Sequence, residues 1–221
     1  MTKTPIYFVP GLAASSKIFQ YISLPKEHFQ LFFIEWILPH SIDESIQDYA
    51  KRMSKEIKHK NAILVGVSFG GVMAQEISKH VSLGKLIIIS SIKNNNELPK
   101  KLQLARKTKA YKLFPSNIIS NIEKYERYFF SDILKKRMAL YKTYLCVRDK
   151  IYLQWAIFNL LHWKQNETLP GILHIHGDHD EIFPIKNIQK AKIIKNGTHI
   201  MILDKAKSIS NILQKECFLL N

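Results

Sequence analysis

Residues 62–74 read Ala-Ile-Leu-Val-Gly-Val-Ser-Phe-Gly-Gly-Val-Met-Ala. An apolar run stops at Ser68, a glycine pair follows, and a helical pattern begins. Such a stretch folds as a buried strand, a very tight turn and a helix, with the serine at the apex. A nucleophile on so sharp a turn sits in a strained backbone conformation. Side chains two residues to either side would clash, and glycine at positions 66 and 70 removes those clashes. The helix that starts at Phe69 also points free N–H groups at any negative charge formed beside Ser68. A strand-to-helix turn with a helix-capping serine fits the same five residues, so the rest of the chain must decide between the two.

Before this stretch, residues 6–9 read as a short buried strand that ends in the small-residue loop Pro10-Gly11-Leu12-Ala13-Ala14-Ser15-Ser16. A short helix is expected from residue 17, and residues 29–36, rich in aromatic and β-branched side chains, read as a second strand. Ser41 and Glu44 have capping-box spacing, which predicts an amphipathic helix through about residue 58. The elbow helix runs to about residue 81, Gly84 stops it, and residues 85–90 form a fourth strand. Strands alternating with helices at this spacing predict a parallel sheet covered on both faces. Ligands of such sheets bind beyond the carboxyl ends of the strands, where Ser68 and the 11–16 loop both lie.

The alternation breaks at residue 92. No glycine occurs between Gly84 and Gly171, and helical periodicity appears over 99–111, 116–128, 131–145 and 149–161. This stretch holds half of the chain's aromatic residues and most of its net positive charge. It reads as an inserted helical lobe, with its aromatics forming a small core, lining a pocket, or both. The sheet resumes over 172–176 and ends in Gly177-Asp178-His179-Asp180-Glu181-Ile182-Phe183-Pro184. Pro184 opens a short helix, residues 191–194 form a last strand, Asn196-Gly197-Thr198-His199 forms the next loop, and 205–219 is a closing amphipathic helix.

Composition narrows the function. The net charge is +15, but of 33 basic residues only five are arginine. A lysine-heavy chain that is also rich in isoleucine and asparagine reflects compositional bias. Nucleic-acid readers lean on arginine and on recognisable modules, and none is present. No apolar run reaches the length of a membrane span. The N-terminus enters a strand without a signal peptide, and two isolated cysteines, Cys146 and Cys217, suit a reducing compartment. Both features place the chain in the cytoplasm as an expectation.

Three loops at one sheet edge carry Ser68, Asp180 and His199. A serine hydroxyl is a poor nucleophile until a base takes its proton, a histidine can take it near neutral pH, and a buried carboxylate fixes the histidine tautomer and stabilises the imidazolium. The order Ser, Asp, His is that of hydrolases with a nucleophile elbow. His179 is a rival base and Asp178 a rival carboxylate. His174, His176, Asp178 and Asp180 form a rival metal set, which would need a closed and supported ligand shell.

With Val9-Pro10-Gly11, Gly66-Val67-Ser68-Phe69-Gly70-Gly71, His176-Gly177-Asp178-His179-Asp180 followed by Pro184, and Gly197-Thr198-His199 in this order, the chain resembles the α/β-hydrolase superfamily. The resemblance implies a mostly parallel central sheet flanked by helices, with a core of 1–92 and 169–221 and an inserted all-helical cap over 93–168. The family pattern His-Gly-x-x-Asp, with a proline four residues on, gives the acid role to Asp180. The resemblance also implies an oxyanion hole made by the backbone N–H groups of Leu12 and Phe69. Two departures stand out. Many relatives begin with one or two further strands, and the usual His-Gly after the first strand is Pro10-Gly11 here.

A serine nucleophile argues against dehalogenase and epoxide-hydrolase chemistry, which in this fold uses an aspartate. The expected function is a serine hydrolase cleaving an ester, a thioester or an amide of a small, apolar acyl substrate through an acyl-enzyme. It needs no cofactor and no metal, and its expected partner is a small-molecule substrate rather than nucleic acid or membrane. The alternative from another class is a non-catalytic ligand-binding protein that keeps the fold. Oligomeric state and substrate identity are not legible in the chain.

Overall fold

The computed structural model describes residues 3–113 and 143–218. Six strands, β1 (Thr4–Val9), β2 (Phe29–Phe33), β3 (Ala62–Val67), β4 (Leu83–Ile89), β5 (Leu173–Gly177) and β6 (Lys192–Ile194), form one sheet in the order β2-β1-β3-β4-β5-β6. Every pairing among them is parallel. Each crossover therefore needs a connection that packs on a face of the sheet. Helix α1 (Ile46–Met53) lies between β2 and β3, α2 (Phe69–Ile77) between β3 and β4, and α3 (Lys100–Thr108) and α4 (Lys150–His162) between β4 and β5; short turns serve the β1–β2 and β5–β6 steps, and α5 (Met201–Asp204) and α6 (Ala206–Phe218) follow β6.

Alternate residues of a strand point to opposite faces, and the two faces carry separate cores. Tyr7, Val9, Ala62 and Leu64 pack with Tyr49 of α1, Val72 of α2, and Tyr152 and Trp155 of α4. Ile6, Phe8, Ile63, Val65, Ile87 and Ile89 pack with Phe19, Met201 of α5, and Ile209 and Leu213 of α6. All six residues of β3 are buried, as expected of a central strand covered on both sides.

Several expected boundaries shift for identifiable reasons. The helix expected to open at Ser41 begins at Ile46, because Ser45 is the residue whose hydroxyl accepts the Asp48 N–H, at 3.1 Å. Glu44 is occupied elsewhere: its carboxylate takes the His40 N–H at 2.6 Å and pairs with Arg52 at 2.8 Å. That helix also ends early, at Met53, in a tight 54–56 turn. Strand β2 stops at Phe33, and the chain then turns so that the buried Trp36 indole donates to the Gly11 carbonyl at 2.9 Å. Helix α2 ends at Ile77, and Gly84 lies within β4 instead of capping the helix. A Cβ at Gly84 would sit 2.6 Å from the Asn61 carbonyl oxygen. The short turn helix near residue 17 spans Ser16–Phe19, and the 201–204 helix was not anticipated.

Of the four helical segments expected between 93 and 168, the first and last are α3 and α4. The segments at 116–128 and 131–145 lie wholly or mostly in residues 114–142, outside the described residues. The α4 residues Tyr152, Leu153, Trp155 and Ala156 are fully buried in the same core as α1 and α2. The Trp155 indole donates to the Glu44 carbonyl at 2.7 Å, and its ring lies 4.1 Å from that of Tyr49. The end of the 93–168 stretch is thus fastened to the helix layer of the sheet. Among the described residues no helix is long and apolar enough to cross a membrane.

Candidate active site

Ser68 occupies the step from β3 to α2, with φ 54° and ψ −121°. A non-glycine residue there is strained, and such strain persists only where the surroundings over-determine it. They do so here. The Ser68 N–H donates to the Ile89 carbonyl at 2.9 Å, and the Ser68 carbonyl accepts from the Ser91 hydroxyl at 2.7 Å. Gly66 and Gly70 allow the turn to close. A Cβ on Gly66 would collide with the Gly70 carbonyl, and a Cβ on Gly70 with the Pro10 carbonyl. Both obstacles are backbone, which cannot swing away. Gly66→Ala is therefore expected to destabilise the fold by about 3 kcal/mol or more. A urea midpoint close to that of the wild type would contradict this account of the elbow.

Asp180 and His199 lie on the loops after β5 and β6. These loops approach so closely that a Cβ on Gly177 would meet the Gly197 carbonyl. The His179 N–H donates to the same carbonyl at 2.9 Å. The Asp180 carboxylate is buried. Its Oδ1 accepts the N–H groups of Ile182 and Phe183, both at 2.8 Å. Its Oδ2 lies 2.9 Å from His199 Nδ1, and His199 Nε2 lies 2.9 Å from Ser68 Oγ. An ionised carboxylate only accepts, so His199 Nδ1 carries a proton and Nε2 faces the hydroxyl as the acceptor. The Phe183 ring stands edge-on to the His199 imidazole at 5.4 Å, holding it between acid and serine.

Leu12 lies in the turn after β1, closed by the Ala14 N–H to the Gly11 carbonyl at 3.0 Å. Gly11 packs beside Ser68: a Cβ there would be 3.6 Å from Ser68 Cβ. Trp36 holds the Gly11 carbonyl from below, and the Tyr152 hydroxyl accepts the Ala13 N–H at 3.4 Å. The Phe69 N–H is the first of α2 and has no acceptor within the helix. The structure thus brings Ser68, Asp180, His199, Leu12, Phe69, Gly66 and Gly70 to one sheet edge.

The rival residues lie elsewhere. His179 is exposed and pairs with Asp178 at 2.8 Å. That contact and the desolvation opposing it leave the Asp178 carboxyl below its ordinary pKa, the His179 hydrogen bond being the larger influence. His174 Nε2 faces His176 Nδ1 at 3.1 Å, so the two rings are bonded to each other. Among the described residues no group of three or more His, Cys, Asp or Glu side chains is arranged to hold a metal ion. Cys146 is exposed, and its thiol lies near the Ser15 hydroxyl.

Sequence reasoning missed four supports: Ser91, Trp36, Tyr152 and Phe183. Only Phe183 carried a sequence signal, its place between the acid and Pro184.

Burial lowers the pKa of His174 well below the ordinary histidine value, with His176 and Lys93 adding to the effect. Burial also lowers that of His176, against a bond to Phe183 and the Asp180 charge, which raise it. Above about pH 6.5 these groups are neutral folded or unfolded. Below it the unfolded chain binds protons that the folded chain refuses, so stability falls as pH falls. The urea midpoint is expected to be lower at pH 5.5 than at pH 7.5; an equal or higher midpoint would contradict neutral burial of the pair.

An all-parallel sheet, a strained serine between strand and helix, and an acid and a histidine on later strand-end loops together define the α/β-hydrolase fold, and the chain has that fold. No protein-family model matches the chain, and no curated protein matches it in sequence. Solved structures do match. A malate-bound thermophilic esterase from Thermogutta terrifontis is similar at 12% identity with a TM-score of 0.68, over 99% of this chain and 91% of the esterase. MenH from S. aureus is similar at 17% identity with a TM-score of 0.68, over 98% and 95% of the two chains. The enol-lactonase from Burkholderia xenovorans LB400 is similar at 12% identity with a TM-score of 0.63, over 96% and 90%.

Proposed function

We propose that the protein is a serine hydrolase that cleaves an ester or thioester, or an amide, of a small apolar acyl substrate through an acyl-enzyme. The observation that carries this reading is the unbroken line Ser68 Oγ–His199 Nε2–His199 Nδ1–Asp180 Oδ2, with both gaps at 2.9 Å. His199 takes the Ser68 proton as Oγ attacks the substrate carbonyl. Asp180 stabilises the imidazolium and holds its tautomer without itself taking the proton. The oxyanion forms beside the backbone N–H groups of Leu12 and Phe69. The imidazolium then gives its proton to the leaving alcohol, thiol or amine. A water, deprotonated by His199, attacks the acyl-serine, and the acid is released as the imidazolium returns the proton to Ser68 Oγ.

The fold's occurrence in an esterase and an enol-lactonase supports hydrolysis as the class of reaction. In this reading residues 93–168 form the cap over a core of 1–92 and 169–221, and the enzyme acts on a small molecule in the cytoplasm. A non-catalytic ligand binder is the alternative, and it has no use for all three aligned groups. A series of p-nitrophenyl esters and acyl thioesters of increasing chain length tests the proposal. The expected result is turnover with an initial burst of the leaving group, absent in Ser68→Ala. Hydrolysis undiminished in Ser68→Ala would overturn it.

A further inference from the structure

Behind Asp180 lies a buried string of polar side chains that this mechanism does not use. Lys93, Glu97, His174 and His176 are each at most 4% exposed. The Lys93 ammonium has three donors and meets three acceptors: Glu97 Oε1 at 2.9 Å, the Gln189 carbonyl, and His174 Nδ1 at 3.5 Å. Glu97 is tied further by the N–H groups of Lys93 at 2.7 Å and Gln189 at 3.0 Å. His174 Nε2 meets His176 Nδ1 at 3.1 Å, and His176 Nε2 meets the Phe183 carbonyl at 2.8 Å. That nitrogen also lies 3.6 Å from Asp180 Oδ2, too far for a hydrogen bond but close enough for its N–H dipole to face the carboxylate.

The chemistry of the two ends sets the protons between them, with the Ser91 backbone a further hydrogen-bond partner of His174. An ammonium can only donate, so His174 Nδ1 accepts and His174 Nε2 carries the hydrogen. His176 Nδ1 therefore accepts, and His176 Nε2–H donates to a carbonyl that can only accept. Both imidazoles are neutral Nε2–H tautomers, aligned along one direction toward the acid. The groups facing them are Lys93, Glu97, Asp180 and His199, and burial together with the Lys93 charge keeps a further proton off His174. A buried ion pair of this kind adds little net stability, and apolar residues would often serve as well. What apolar residues could not supply is a donor for the Phe183 carbonyl, the residue whose own N–H holds Asp180 Oδ1.

We propose that Lys93, His174 and His176 are positioning residues for Asp180: their one-directional string of donors pins the Phe183 carbonyl, and the N–H on the other side of the same residue sets the Asp180 carboxylate against His199. The proposal rests on the serine-hydrolase reading for its effect on rate, but not for its geometry. It also ties the first residues of the 93–168 stretch to the acid loop.

The test uses the full chain with 15N-labelled histidine. Long-range 1H–15N spectra at pH 7.5 are expected to show His174 and His176 as neutral Nε2–H tautomers. An Nδ1–H tautomer of either ring would overturn the string. In His176→Leu the carboxylate loses its set position, so the hydrogen bond from His199 Nδ1–H to Asp180 lengthens and its proton signal is expected to move upfield. Fluorophosphonate labelling of Ser68 is expected to slow by about tenfold, the scale of one lost hydrogen bond. His176→Gln places an N–H near the Nε2 position and is expected to recover most of both. A merely structural histidine would change melting temperature and leave the His199 Nδ1–H signal in place.

Should His176→Leu not fold, the charge-neutral pair Lys93→Met/Glu97→Gln decides. It is expected to shift the His174 nitrogen signals and move the His199 Nδ1–H signal upfield. An unchanged His199 Nδ1–H signal in whichever of these variants folds would overturn the proposal. A wild type that shows the expected tautomers yet does not label would count against the hydrolase reading and leave the positioning string standing.

Discussion

Ser68→Ala is expected to lower the turnover number by a factor on the order of 10^6 while the protein stays folded. The size follows from the proposed roles. With no Oγ there is no acyl-enzyme, and His199 has no hydroxyl to activate. What remains is the modest catalysis left by oxyanion donors and substrate binding. The substitution should not cost stability. The residue is at φ 54°, where alanine is no more strained than serine, and the bonds that hold the turn run through its N–H and carbonyl. Steady-state kinetics on the best p-nitrophenyl ester, beside a melting curve, check both halves. A residual rate within tenfold of the wild type would show that Ser68 is not the nucleophile.

Asp180→Asn is the second large effect, with an expected loss in turnover of about 10^4. The asparagine oxygen can keep the two N–H bonds from Ile182 and Phe183, so the loop retains its shape. The NH2 group then faces His199 Nδ1, where the carboxylate Oδ2 lay at 2.9 Å. A donor facing Nδ1 favours the tautomer with its hydrogen on Nε2. That nitrogen points at Ser68 Oγ and could no longer accept its proton. The geometry survives and the base is lost, so KM should change little while the turnover number collapses. Equal losses in Asp178→Asn and Asp180→Asn would contradict the assignment of the acid.

The sheet was legible because each strand is a near-continuous apolar run between turn residues, and β3 falls on residues 62–67 as read. The elbow was legible because its geometry tolerates few residue types. Helix boundaries were harder to read, since they depend on competition among local side chains. Ser41 and Glu44 have the spacing of a capping box, but Arg52, eight residues on from Glu44, takes the carboxylate and leaves Ser45 to cap. Gly84 looked like a helix stop, and its actual constraint, the Asn61 carbonyl across the sheet, is non-local. The same reason hides Ser91, Trp36 and Tyr152, whose contacts at the site span 23 to 139 residues. The string from Lys93 to His176 was equally invisible: its parts lie 81 residues apart, and in the sequence they read as a charged residue after a strand and two strand histidines.

The central claim is that Ser68 is an activated nucleophile. Intact-mass analysis of the purified protein after incubation with a fluorophosphonate tests it most directly, followed by peptide mapping. The account predicts one adduct per chain, located on Ser68, absent in Ser68→Ala and formed far more slowly in His199→Ala. A folded wild type that gains no mass, or that carries the adduct on another residue, would contradict it.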